Sequence, residues 1–351
     1  MSIPVEVEDI TAAWLEDVLR AHAPGASLAA IQVAEAHSGT TGRVRVLLTH
    51  DDPRLPGSVF VKLAPFDAGQ RAFVEQLGMG LYEARFYAEL APEVPPRLPR
   101  PWYAAHDNAG RYVMVLEDLR AAGARYPAAG DPDLPAFVER TIDAFAALHA
   151  PFWASPRFAP HGDLAWVERR SRGYGSAAPL VSFAVDQLGA TLPDASRRLA
   201  EVYLPRADAI AALLADGTPT LVHGDAHLGN MFADGVTPGF LDWAMVSAAP
   251  GLRDVAYFLG ASVPTELRRA RERELVARYC ARLHEGGIAL DVDAAWQHYR
   301  VQLITGWIAA VVTAAMGSNW QPIDIGMAAT RRANAAIEDH GVADLLRARL
   351  P

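Results

Sequence analysis

Leu221-Val222-His223-Gly224-Asp225-Ala226-His227-Leu228-Gly229-Asn230-Met231-Phe232, followed after a turn by Gly239-Phe240-Leu241-Asp242-Trp243, is the stretch on which the fold turns. An apolar pair leads into a polar cluster, a second apolar run follows, and a third ends on an aspartate, which reads as loop, strand, turn, strand. Polar side chains held between short strands are placed for chemistry. Asp225 offers a proton acceptor, while Asn230 and Asp242 offer the hard oxygens that a small divalent cation prefers. For any one of these residues alone, a solvated turn is the simpler account. His223, Asp225 and His227 also alternate as zinc ligands on a strand would, but no fourth partner stands at recognisable spacing.

The spacing of Asp225 to Asn230 matches the kinase catalytic loop, in which an Asp accepts the proton of the attacking hydroxyl and a later Asn holds a metal ion. Together with His223-Gly224-Asp225, Asp242-Trp243 and Asp254 in Gly251-Leu252-Arg253-Asp254-Val255-Ala256, the chain resembles the aminoglycoside phosphotransferase and choline kinase-like superfamily. Glu83-Ala84-Arg85-Phe86-Tyr87 and Val115-Leu116-Glu117-Asp118-Leu119 are similar to its ecdysteroid kinase-like branch. The motifs run in order from about residue 38 to residue 260. The resemblance implies an α+β, protein-kinase-like two-lobed fold: a nucleotide-binding lobe over residues 1–118, an antiparallel sheet with helices, and a larger, mainly helical catalytic and substrate lobe over 119–351. It implies ATP and Mg²⁺ as cofactors, Asp225 as catalytic residue, and Asn230 and Asp242 as metal ligands. His223 would anchor the loop and Asp254 would accept hydrogen bonds from the loop backbone. As a cap before Val255-Ala256-Tyr257-Phe258, Asp254 would be equally at home.

Upstream, Ile31 to Ala36 and Val44 to Leu48 read as strands of a hairpin whose tip holds Gly39, Thr40, Thr41 and Gly42. Such a tip can bring N–H groups close to phosphate oxygens, because glycines tolerate positive φ and carry no obstructing side chain. A plain turn is the alternative. Lys62, alone among apolar neighbours in Ser58-Val59-Phe60-Val61-Lys62-Leu63, could be an edge lysine snorkelling to water. By resemblance it grips nucleotide phosphates, oriented by Glu83, with Glu75 as the other candidate because two helical pieces split near Gly78-Met79-Gly80. Glu117 to Leu119 then ends a strand, either in solvated acids or, by resemblance, as the hinge whose backbone meets the adenine edge.

Asp9 is expected to cap a helix closing before Pro24-Gly25. Helices are also expected over Leu134 to Ala150, Ala195 to Leu214, Thr265 to Glu285, Ala294 to Met316 and Met327 to Ala348, with a loop-rich insertion from Pro156 to Pro193. Trp153, Trp166 and Tyr174 are candidates for an acceptor pocket, though aromatic residues near helix ends belong more often to the core.

A net charge of -9 with dispersed basic residues argues against nucleic-acid binding. A lone cysteine, Cys280, and a start without a basic or apolar leader pattern point to a cytoplasmic protein. The apolar run Val301 to Met316 is shorter than the roughly 20 residues a bilayer needs and reads as a buried helix. Gly224 stands where protein kinases carry an Arg, and the eleven residues between Asp242 and Asp254 leave no room for a peptide platform, so a small-molecule alcohol is the expected acceptor. Glu285, Asp291, Asp293 and Asp324 could serve a polycationic acceptor, whereas the C-terminal tryptophans favour a more hydrophobic alcohol. A catalytically inactive nucleotide-binding regulator and a choline-type amino-alcohol kinase are the rival readings. Oligomeric state has no signal in the sequence.

Overall fold

In the computed structural model, residues 1–167, 177–317 and 323–350 are described. The chain divides into two compact units, Met1–Arg125 with Phe232–Met245, and Tyr126–Met231 with Val246–Pro351.

The first unit is built on an antiparallel sheet of β1 (Ala30–Ser38), β2 (Gly42–Thr49), β3 (Ser58–Leu63), β4 (Pro101–His106) and β5 (Tyr112–Glu117), in the order β1-β2-β3-β5-β4. β2 alternates, sending Val44, Val46 and Leu48 inward, while central β3 and β5 are mostly apolar and buried on both faces, with Ser58 and Lys62 the polar members of β3 and Glu117 that of β5. Helix α1 (Ala12–Leu19) lays Trp14, Leu15 and Val18 on this core. Its N-cap is Thr11, whose hydroxyl accepts from the Trp14 amide, and not Asp9 as the sequence suggests. The Asp9 carboxylate instead closes a tighter turn by accepting from the Val5 and Glu6 amides. Helix α2 (Ala68–Leu77) stops at Gly78, whose φ of 61° ends it in the left-handed region, and α3 (Met79–Arg85) starts afresh. The distant hairpin Met231–Asp234/Thr237–Phe240 contributes to this unit through a bridge between Arg97 and Gly239.

The second unit is mainly helical: α4 (Leu134–His149), α5 (Ala178–Leu188), α6 (Asp194–Tyr203), α7 (Ala207–Ala215), α8 (Leu252–Tyr257), α9 (Thr265–Glu285), α10 (Val292–Met316), α11 (Ile323–Asp339) and α12 (Val342–Arg349). Three expectations need correction. The insertion read as loop holds α5, seeded by Pro179 in its first turn. The helix expected over Ala195 to Leu214 is broken at Leu204-Pro205-Arg206, where proline removes a hydrogen bond. The last helix is broken at Gly341, whose φ is 54°. Helix α10, at 25 residues, is long and apolar enough to cross a membrane by length and composition, yet 56% of its apolar window is buried in the protein. It packs against α5, α8 and α11 as a core helix.

Candidate active site

In the first unit, β3 delivers Lys62 into the interior, where it is only 5% exposed. Its Nζ lies 2.5 Å from Glu83 Oε2 on α3 and 3.3 Å from Asp242 Oδ1, just past the hairpin. Glu75, on α2, is exposed. Trp243 holds the end of this arrangement: its ring stacks on Phe86 with centroids 4.1 Å apart, so the helix bearing Glu83 is tied to the residue after Asp242. Asp242 has φ 63°, a conformation costly for a side-chain-bearing residue and typical of functional sites. Burial works to discharge Lys62, but Asp242 and then Glu83 outweigh it and raise its pKa above the ordinary lysine value. Burial drives Glu83 the other way, above the usual carboxylate range, with Lys62 opposing and Asp242 adding to the shift. Lys62 is therefore a fixed buried cation.

The tip joining β1 to β2 has a physical basis different from the one expected. Neither Gly39 nor Gly42 adopts positive φ. Gly42 is required for space, since a Cβ there would sit 2.5 Å from the Phe66 ring and 2.6 Å from the Ala64 carbonyl oxygen. The turn is closed by the Gly39 amide donating to the Thr41 carbonyl, and the Thr41 hydroxyl is buried without a hydrogen-bond partner. Thr40 is partly exposed at the tip.

At the end of β5, the Glu117 amide donates to the Arg100 carbonyl, and its carboxylate pairs with Arg97 at 2.8 Å. The Leu119 carbonyl accepts from Ala124, whereas the Leu119 amide has no partner among the described residues. Between them Asp118 is buried and structural, taking the Ser58 hydroxyl at 2.6 Å and the Arg45 guanidinium at 2.7 Å.

In the second unit, strand Pro219–Val222 pairs antiparallel with Ser247–Pro250. This pairing carries the chain from the loop after Val222 back, through Gly251, to α8. Gly251 has no substitute there: a Cβ would lie 2.2 Å from the Tyr279 hydroxyl. Asp254, fully buried on α8, then accepts the His223 amide at 2.7 Å on one oxygen and the Gly224 amide at 2.9 Å on the other. Burial alone would raise the Asp254 pKa, but His149 at 3.3 Å and the loop amides hold it below the ordinary value. Gly224 has φ 81°, so the residue standing in place of an Arg is demanded by the backbone.

The loop presents Asp225 partly exposed. Tyr257 donates its hydroxyl to Oδ1 at 2.6 Å, Asn230 Nδ2 donates to Oδ2 at 3.0 Å, and His227 Nε2 lies 3.5 Å from Oδ2. The Asp225 amide meets His223 Nδ1 at 3.3 Å. Desolvation would raise the Asp225 pKa; His227 above all, then Tyr257 and His223, depress it strongly. With Nδ2 committed to Asp225, Asn230 keeps its amide oxygen for another partner. The Leu228 amide is held by Ser262 at 3.2 Å.

Sequence reasoning missed Tyr257 and His149. Tyr257 stands three residues after Asp254, hence on the same helix face, a signal that was available. His149 carries no comparable local signal. Trp166 is buried and Trp153 half-buried, while Tyr174 lies outside the described residues, so they form no pocket that can be drawn.

A fold with this sheet, this split helix and this loop is protein-kinase-like. The model of the phosphotransferase enzyme family matches residues 32–296, and the chain belongs to that family. It is a small-molecule phosphotransferase. Among solved structures it is similar to choline kinase from Cryptosporidium parvum Iowa II, with TM-score 0.59 and 10% identity over 94% of this chain and 97% of that one. It is also similar to the GDP complex of wild-type aminoglycoside 2'-phosphotransferase-IIIa, with TM-score 0.52 and 14% identity over 92% and 98% of the two chains. No curated protein sequence matches.

Proposed function

We propose that the protein transfers the γ-phosphoryl group of ATP to a hydroxyl of a small, weakly charged organic molecule. The observation that carries this reading is the buried Lys62, held by Glu83 and Asp242 and kept charged against its burial. Phosphoryl transfer asks for placement and charge neutralisation, and a fixed cation supplies both to phosphate oxygens. The unpartnered Leu119 amide is a donor suited to an adenine ring nitrogen, and the Gly39-Thr40-Thr41-Gly42 tip would lie over phosphate.

Asp225 orients the acceptor hydroxyl. As the acceptor oxygen bonds to the γ-phosphorus, the bond from phosphorus to the ADP oxygen breaks and the hydroxyl proton passes to Asp225. Its depressed pKa makes it a weak base, which suits a loose transition state where the proton leaves late. The donor chemistry of Asn230 and Asp242 fits Mg²⁺: an amide oxygen whose nitrogen is already committed, and a carboxylate. When bound, Mg²⁺ would neutralise phosphate charge.

The acceptor is assigned as weakly charged because three of the four acids considered for a polycation are already engaged, the Asp324 side chain lying outside the described residues. Glu285 pairs with Arg282, Asp293 with Arg273, and Asp291 caps α10. Trp296 is likewise committed, stacked on Tyr299 with Arg273 over its ring, which weakens the case for a quaternary-ammonium cage. The test is a panel of sugars, macrolides, steroids, amino alcohols and aminoglycosides incubated with radiolabelled ATP. Labelled phosphate on a neutral alcohol, lost at least about 1,000-fold in Asp225→Ala with nucleotide binding retained, is the expected result. Full turnover in Asp225→Ala sinks the assignment; ATP binding with no labelled acceptor favours an inactive regulator.

A further inference from the structure

Asp225 is held from more directions than its loop supplies. Its backbone is fixed through Asp254, which takes the neighbouring His223 and Gly224 amides, but those bonds do not determine where the carboxylate points. Two side-chain restraints, Asn230 at 3.0 Å and His227 at 3.5 Å, belong to the same loop and would move with it. The third, Tyr257, comes from α8, and its 2.6 Å bond falls in the range of charge-assisted O–H···O⁻ contacts. Tyr257 is 7% exposed, and its ring stacks loosely on His227 with centroids 6.5 Å apart. Asp254 and Tyr257 lie one turn apart on a single helix. We infer that Tyr257 is a positioning residue: α8 grips the loop twice, Asp254 by its backbone and Tyr257 by the Asp225 carboxylate, leaving Asp225 one orientation toward the acceptor hydroxyl.

This inference rests on the phosphotransfer reading of Asp225. A carboxylate anchored at one oxygen cannot swing between rotamers, and misplacement by about 1 Å can cost about 100-fold in rate. Removing the phenolic oxygen alone therefore lowers the rate constant without weakening substrate binding, a separation that a purely structural tyrosine would not produce.

The experiment compares the full-length wild type, Tyr257→Phe and Tyr299→Phe. Tyr299 is another buried tyrosine, 0% exposed, whose hydroxyl bonds to Glu272 at 2.8 Å, away from the loop. With ATP and an alcohol from the panel, Tyr257→Phe is expected to lose about 10- to 100-fold in kcat with KM for both substrates within about twofold. Tyr299→Phe is expected to keep its kcat. Unchanged kcat in Tyr257→Phe overturns the inference, and so does an equal loss in Tyr299→Phe, which would trace the effect to deleting any buried hydroxyl. Crystal structures of wild type and Tyr257→Phe provide a readout independent of turnover: Asp225 should leave its single rotamer, and an unmoved carboxylate counts against the clamp. A wild type that phosphorylates no alcohol would sink the phosphotransfer reading while leaving this structural comparison intact.

Discussion

Glu83 and Asp254 are both fully buried carboxylates, one in each unit, and they are held in opposite ways. Glu83 faces a lysine in a crowded acid environment and has its pKa driven up by burial, against the opposing pull of Lys62 and a lesser one from the Trp243 backbone. Asp254 faces two backbone amides and a histidine, uses both oxygens, and has its pKa driven down. The difference is that between a carboxylate kept under tension and one at rest. Amide donors cannot leave, so Asp254 builds a rigid loop. The ion pair of Glu83 is one of two contacts competing for Lys62, so it can yield when phosphates arrive.

Asp254→Ala gives the largest expected loss of stability. It orphans two buried loop amides and His149 Nε2, while His149 Nδ1 keeps the Tyr279 hydroxyl, at a cost of about 3 kcal/mol, to be read from urea unfolding midpoints. Asp254→Asn sharpens the contrast through pH. The folded pKa of Asp254 lies below its unfolded value near 3.8, so its contribution is complete above that value and is lost as pH falls through the depressed folded pKa. Wild-type stability should therefore fall more steeply than that of Asp254→Asn on acidification below about pH 4. Parallel slopes would mean that Asp254 is not held as a carboxylate.

Gly42→Ala should be milder and confined to the first unit. The added methyl must displace the Phe66 ring and meets the Ala64 carbonyl, which costs about 1 to 2 kcal/mol. Because the glycine there serves close packing and not positive φ, truncating the obstacle with Phe66→Leu in the same chain should restore part of the loss, as urea midpoints would show. Without any restoration, the strain would have to lie in the backbone.

What could be read from the sequence follows the range of each signal. Asp225, Asn230 and Asp242 are close along the chain and bear the donor types that metal and proton chemistry need, so their spacing alone suggested a site. Lys62 and Glu83 are 21 residues apart and were paired by resemblance; the structure sets them in contact. The contact of Tyr257 with Asp225 spans 32 residues and that of His149 with Asp254 spans 105, distances over which pattern carries nothing unless the fold is in hand. Thr11 was overlooked as a cap because Asp9 has the same chemistry two positions earlier, and only the turn at Glu6 decides between them. The role of Gly42 was hidden for a similar reason: a sequence does not say which ring will lie over a glycine.

Glu83→Gln carries the smallest expected change in stability and the clearest test of the contrast. Removing one member of a buried ion pair usually costs several kcal/mol because a charge is stranded, but Lys62 retains Asp242 at 3.3 Å. Glutamine keeps the shape and still offers an oxygen to Lys62, and a neutral amide is cheaper to bury than a carboxylate already driven toward protonation. Stability should stay within about 1 kcal/mol of wild type, in marked contrast to Asp254→Ala. Function should respond more. With Glu83 neutral, Asp242 draws Lys62 more strongly, and the lysine is less available to phosphate, so KM for ATP should rise about tenfold with a smaller change in kcat. An unfolding midpoint that drops as far as that of Asp254→Ala would show the two carboxylates to be structural alike. An unchanged KM would show that Lys62 owes its placement to Asp242 and not to Glu83.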